Sequence, residues 1–190
     1  MNDVLQIPLF FLLGVFSWLF LEYILHRFLG HYTRGKNAFS AEHLRHHVET
    51  HYFAPTYKKL IAAVVVIGLS CTVFSYLMGL RIGCSFGFGL SIMYGVYEWA
   101  HRRLHTHGPA NWYGRWARKH HFYHHFHNVN RNHGVTTPLW DIIFRTHETS
   151  EKIRVPRKLV LPWMLDESGN FSENVSGDYE LRGGKAAPVK

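Results

Sequence analysis

The chain has 190 residues, 47% of them hydrophobic and 16% aromatic, with a formal charge of +8 and 16 histidines. That length suffices for one domain and requires no second. Its two cysteines, Cys71 and Cys84, both fall in apolar runs, which excludes a disulfide framework or a cysteine-based zinc site.

The first predicted element is an apolar run from Val4 to Leu25 that carries one acid, Glu22, near its end. A run of roughly 20 such residues crosses a hydrocarbon core of about 30 Å. Met1-Asn2-Asp3 offers no basic n-region and Glu22-Tyr23-Ile24-Leu25-His26 no small-residue cleavage site, so the run reads as a span rather than a cleaved signal peptide. A polar loop from His26 to Lys59 follows. The second run, Leu60 to Leu80, has no charge and no polar helical stripe, which argues against a buried helix of a soluble protein. Gly79, Arg81 and Gly83 suit a tight helical hairpin, and such a turn would place Cys71 and Cys84 at different depths. Ile82 to Ala100, with Glu98 near its end, is the third predicted span, and Gly83 and Gly87 at i, i+4 would let it pack closely on a neighbour.

Six of the 21 Lys and Arg lie between His26 and Lys59, Arg81 stands alone, and fourteen follow His101. Basic residues favour the cytoplasmic side. The loop and tail are therefore expected in the cytoplasm, with Arg81 and the N-terminus outside. Residues 101–147, rich in His, Arg and aromatics, should fold against the membrane face. Beyond about Ser150 the chain turns polar. Val155 to Trp163 mixes bases with apolar residues as an interfacial segment does, and Ser168 to Lys190 reads as mobile. The expected fold is an all-α integral membrane protein of about three transmembrane helices with a cytoplasmic helical cap. Residues 1–149 form its membrane-embedded part and 150–190 a polar tail.

None of the sixteen histidines lies within an apolar run. Six fall between His26 and His51 and ten between His101 and His147, all on the predicted cytoplasmic side. His101 and His105 are i and i+4, on one helical face. His43, His46 and His47 form H-x2-HH, and His121, His124 and His125 repeat it, each set on one face. His26 and His31 are five apart, which on a regular α-helix separates them by about 140°. They could share a site only if the helix ended between them, and Gly30 is a suitable terminator.

These ten imidazoles exceed what one metal takes, whereas two metals would receive up to five each. Imidazole suits iron, zinc, copper and nickel alike, so ligand type does not choose among them. Glu22, four residues before His26, and Glu98, three before His101, could each accept the free N–H of a ligating ring. A b-type cytochrome would carry its haem histidines inside the spans, where none occurs. The H-E-x-x-H protease pattern is absent. Membrane crossings argue against nucleic acid as a partner. Metal storage or transport is the strongest non-enzyme alternative, though transporters carry polar ligands at the midplane. His51, His107, His120, His127, His133 and His147 lie outside the boxes and read as hydrogen-bonded or exposed residues.

The boxes His26-Arg27-Phe28-Leu29-Gly30-His31, His43-Leu44-Arg45-His46-His47, His101-Arg102-Arg103-Leu104-His105 and His121-Phe122-Tyr123-His124-His125 resemble the four histidine motifs of the fatty acid hydroxylase and sterol desaturase superfamily. Gly134 to Asp141 resembles the segment that follows the last box, and the short third box is similar to that of fatty acid 2-hydroxylases. The resemblance covers residues 10–147. It implies a di-metal site, functionally di-iron although zinc can occupy it, that uses O2 to oxidise an unactivated C–H bond of a lipid, most simply a fatty acyl chain. The ten boxed histidines would be the ligands. The lipid would come from the bilayer, and electrons from a separate cytoplasmic donor such as cytochrome b5 or a ferredoxin, since no His-Pro-Gly-Gly haem motif marks a fused cytochrome b5 domain. Sterol or carotenoid oxidation within the same superfamily is the alternative chemistry.

Overall fold

A computed structural model of the chain describes residues 3–182. Its helices are α1 (Asp3–Ile24), α2 (Ala38–Val48), α3 (Thr56–Met78), α4 (Leu80–Thr106), α5 (Trp112–Phe126), α6 (Leu139–Ile143) and α7 (Glu173–Ser176). A π-helical segment, Leu25–Tyr32, follows α1 without a break. Two short strands, β1 (Ile153–Val155) and β2 (Tyr179–Leu181), pair in parallel with Ile153 opposite Tyr179. The expectation of an all-α chain is corrected by this pair. The described backbone divides into two compact units, residues 3–22 with 54–99 and residues 23–53 with 100–182.

In the first unit, Trp18, Phe86 and Leu90 form a buried cluster flanked by Phe10, Ile67, Phe74 and Tyr94. Close helix approach builds it. A Cβ on Gly89 would lie 2.0 Å from the Phe11 carbonyl oxygen, and one on Gly83 2.4 Å from the Ser75 nitrogen. Gly87 faces Cys71, as its spacing with Gly83 predicts. Gly79, at φ +94°, makes the turn between α3 and α4. The thiols of Cys71 and Cys84 are both free, and their side chains are near enough to interact across that turn.

Outside this cluster the unit exposes many apolar side chains. Ala63 is the one buried residue of α3, while Val64 and Leu69 are 70% and 65% exposed. Such a surface is stable against lipid and costly against water. Among the described residues two helices are long and apolar enough to cross a membrane, Leu5–Tyr32 and Thr56–Met78. The 27-residue α4 has the length but also carries Arg81, Glu98, Arg102 and Arg103, so a third span is not shown by length and composition.

The second unit holds every histidine. Its apolar core joins Phe122 and Phe126 of α5 to Ile153, Val155, Leu161, Met164, Val175 and Tyr179. Residues 150–182, expected as a polar and partly mobile tail, are thus folded onto α5. Their apolar residues, among them Ile153, Val155 and the short run Leu159 to Leu165, are too few to mark a core by themselves, and packing against α5 supplies one. The remainder of the expected mobile stretch, 183–190, lies outside the described residues.

Candidate metal centre

Local structure first decides where each imidazole can reach. Asn37 caps α2, its side chain accepting from the Ser40 N–H at 2.8 Å, and Asn111 caps α5 in the same way through Gly114. These caps start the two helices that carry the H-x2-HH boxes. Before them, the π-helical segment closes its turns i to i+5. That geometry brings His26 and His31 onto one side without ending the helix. Gly30 is therefore not a terminator, correcting the expectation drawn from α-helical spacing. Its role is space, since a Cβ there would sit 3.0 Å from Cδ2 of His43.

The ten boxed histidines fall into two groups of five. His26, His31, His43, His47 and His124 offer ring nitrogens within 4.8 Å of one another, as do His46, His101, His105, His121 and His125. Each H-x2-HH box is divided between them. The i, i+4 pair His43/His47 serves the first group and His46 the second; His121/His125 serve the second and His124 the first. On an α-helix the i+3 and i+4 positions flank residue i about 100° apart, so each helix reaches both groups. The groups abut, with the rings of His47 and His125 stacked at 4.1 Å.

Within the first group the Nε2 atoms form a closed ring. His31 lies 2.9 Å from His124, His124 3.2 Å from His47, His47 3.1 Å from His43, and His43 2.8 Å from His31. A square with edges near 3 Å has its centre about 2.1 Å from each corner, the length of a metal–imidazole bond. His26 adds a buried Nε2 with no hydrogen-bond partner. In the second group Nε2 of His46 is 3.1 Å from that of His101, and Nε2 of His105 is 2.8 Å from that of His121. Nε2 of His125 is again buried without a partner.

Backbone carbonyls set the tautomers. Nδ1 of His46 donates to Tyr52 and Nδ1 of His124 to Arg131, each at 2.6 Å, and Nδ1 of His26 donates to His133. A carbonyl only accepts, so in each ring Nδ1 carries the proton and Nε2 presents a bare lone pair. Burial, followed by the neighbouring imidazoles, holds His43, His47, His121, His124 and His125 well below the usual histidine range. These rings are neutral at pH 7. A neutral ring nitrogen carries either a proton or a lone pair, so hydrogen bonds cannot satisfy every edge of a closed ring that includes the bare Nε2 of His124, and the donor set fits metal ions.

The acids are placed differently from expectation. The N–H of His26 that Glu22 was to accept is taken by the His133 carbonyl. Glu22 itself is buried, and Glu98 forms an ion pair with Lys59. Sequence reasoning gave no role to Asp141, which is fully buried and bonded to His120, Thr146 and two backbone N–H groups. Its signal was its place at the end of the Gly134–Asp141 segment. Of the spare histidines, His120 and His133 are buried, His51 and His107 are exposed, and His127 accepts from the Arg154 N–H.

Residues 11–146 match the family model for fatty acid hydroxylases. The chain belongs to that family. It is 29% identical to a dihydroceramide fatty acyl 2-hydroxylase of Arabidopsis thaliana, over 77% of this chain and 62% of that protein. It is 32% identical to the ceramide very long chain fatty acid hydroxylase of Saccharomyces cerevisiae, over 72% of this chain and 37% of that one. A solved structure of full-length scs7p, with only its hydroxylase domain visible, matches 78% of this chain and 58% of that chain with a TM-score of 0.61 at 28% identity. The chain thus spans between about two fifths and three fifths of the length of these relatives.

Proposed function

We propose that this fatty acid hydroxylase family member hydroxylates an unactivated C–H bond of a membrane lipid, with two iron ions held by the two histidine groups. The observation that carries it is ten imidazoles in two abutting groups of five, with ring nitrogens spaced for shared cations. These relatives are named as a dihydroceramide fatty acyl 2-hydroxylase and a ceramide very long chain fatty acid hydroxylase, which points to an acyl chain as substrate. Iron at the two sites would supply oxygen activation, so that a C–H bond, O2, two electrons and two protons become C–OH and water. The residues of the chain bind and orient. The carbonyls of His133, Arg131 and Tyr52 hold three rings in the ligating tautomer, and burial holds His43, His47, His121 and His125 well below the usual histidine range. Glu98 is the remaining acid proposed to position a ligand, His101.

The third span, the outward N-terminus and the cytoplasmic histidine face belong to the same proposal and rest on the distribution of Lys and Arg. The electrons come from a separate cytoplasmic carrier, which an excess of basic residues on that side would attract. The test is elemental analysis of purified protein together with mass spectrometry of lipids from cells expressing each variant. Wild type should carry about two metal ions per chain and yield hydroxylated acyl lipid. His124→Ala should abolish the product, and His127→Ala, outside both groups, should retain it. Oxidised sterol or carotenoid in place of acyl product would redirect the substrate. Lipid profiles unchanged by the wild-type protein, with oxygen and reductant supplied, would make metal handling the better account.

A further inference from the structure

We propose that Asp141 is a positioning residue for the first histidine group, acting through the loop whose carbonyls orient His26 and His124. The inference rests on the metal-holding role just proposed. Asp141 lies on α6 with no exposed surface. Its carboxylate accepts from the His133 N–H and the Gly134 N–H at 2.8 Å each, from Thr146 Oγ1 at 2.7 Å and from His120 Nε2 at 3.3 Å. Burial alone would raise its pKa, but these donors hold it well below the usual carboxylate range. A buried anion satisfied this way ties its donors to one point. The bond to Gly134 also needs glycine, since a Cβ there would stand 2.1 Å from the Thr137 carbonyl oxygen and 3.1 Å from the carboxylate.

What the anion fixes is the short stretch 131–134. Arg131 and His133 supply the carbonyls that receive Nδ1–H of His124 and His26. Between them Asn132 is fully buried at φ +55° and bonded at four points, through its N–H to the Thr146 carbonyl and through its side chain to both backbone groups of Glu148 and to the His120 carbonyl. The stretch is therefore clamped, and Asp141 bonds both backbone N–H groups that follow Asn132. Thr146 extends the clamp to Tyr23, whose hydroxyl is 3.1 Å from the threonine oxygen and which lies three residues before His26. Both carbonyls serve the first group. The carbonyl that orients a ring of the second group, Tyr52, comes from a different loop. Asp141 should accordingly bias one metal and spare the other.

The test uses the full chain, purified in detergent and loaded with iron, and follows metal release to a chelator. Asp141→Asn keeps the shape but turns an acceptor into a donor facing the loop. Thr146→Val removes one of the four bonds. Asp178→Asn, a buried acid paired with Arg115 and Lys119 elsewhere in the unit, is the control. With Asp141→Asn, one of the two equivalents should leave about 10 to 100-fold faster and the other at the wild-type rate. Thr146→Val should shift the same equivalent by less, and Asp178→Asn should change neither. Added to His26→Ala, Asp141→Asn should bring little further loss, because both act on one group. Equal acceleration of both equivalents would reveal general loosening and overturn the inference, as would release unchanged from wild type. If Asp141→Asn fails to fold, Thr146→Val decides by the same criterion. A wild type that binds no metal removes the metal-holding proposal and this one with it. A wild type with two ions, beside an Asp141→Asn variant that releases them at the same rates, removes this one alone.

Discussion

Whether an imidazole can serve as a ligand depends on what its second nitrogen does. Where Nδ1 is bonded to a carbonyl, Nε2 has no proton and points at its neighbours, which is the state a metal requires. Steric fit is as narrow. His43 packs against the bare Cα of Gly30, and a methyl there would push Cδ2 from a 3.0 Å approach. Its Nε2 lies 2.8 Å from that of His31 and 3.1 Å from that of His47, so a few tenths of an ångström opens the ring of nitrogens. Gly30→Ala should weaken binding of one metal about tenfold while the purified protein stays folded, which titration with iron and thermal unfolding would read together. Unaltered affinity for both ions would mean that the ring is not the binding geometry. The ten candidate ligands could be picked out of the sequence because i, i+3 and i+4 repeats are visible without a structure, and the structure gathers them into two groups. Their division was not, since i+3 and i+4 look alike in a string and differ only once a helix stands between two centres. Glu22 was misread for a related reason: proximity in sequence suggested the partner of His26, and a backbone carbonyl more than a hundred residues away holds that place.

At the level of elements, hydropathy located three long helices to within a few residues at most boundaries, because a run free of charge has few other uses. It did not reveal the π-helical segment, whose residues carry no distinctive pattern, nor the fold of residues 150–182, whose strands are three residues long and owe their burial to Phe122 and Phe126. Helix packing in the first unit gives a sharp contrast between two glycines. Gly83 faces backbone, with a Cβ position 2.6 Å from the Ser75 Cα, whereas nothing lies within 4 Å of a Cβ on Gly68. Gly83→Ala must therefore separate α3 from α4, and we expect a loss of about 1–3 kcal/mol, as for other overpacked contacts. Gly68→Ala keeps the packing and replaces the poorer helix former, so stability should hold or rise by up to about 1 kcal/mol. Thermal unfolding of both variants in one detergent checks the pair. Equal Tm values for the two would show that α3 and α4 do not pack as described.

For the whole molecule the open question is how the chain crosses the bilayer. Two helices have the length and composition to do so, and α4 has the length with a charge at its first turn and more at its last. If α4 also crosses, Arg81 and the histidine-bearing segments lie on opposite sides, and the uneven distribution of Lys and Arg is the ground for proposing the histidines in the cytoplasm. If it does not, residues on either side of α4 share one compartment. Three exposed positions separate these cases: 51, 81 and 152. Single cysteines placed there, with Cys71 and Cys84 replaced, can be probed in intact cells by a thiol reagent that does not cross membranes. We expect labelling at 81, and at 51 and 152 only after the membrane is permeabilised. Labelling of all three in intact cells would mean that α4 does not cross. Labelling at 51 and 152 but not at 81 would invert the chain, and an electron carrier confined to the cytoplasm could then no longer reach the histidine groups.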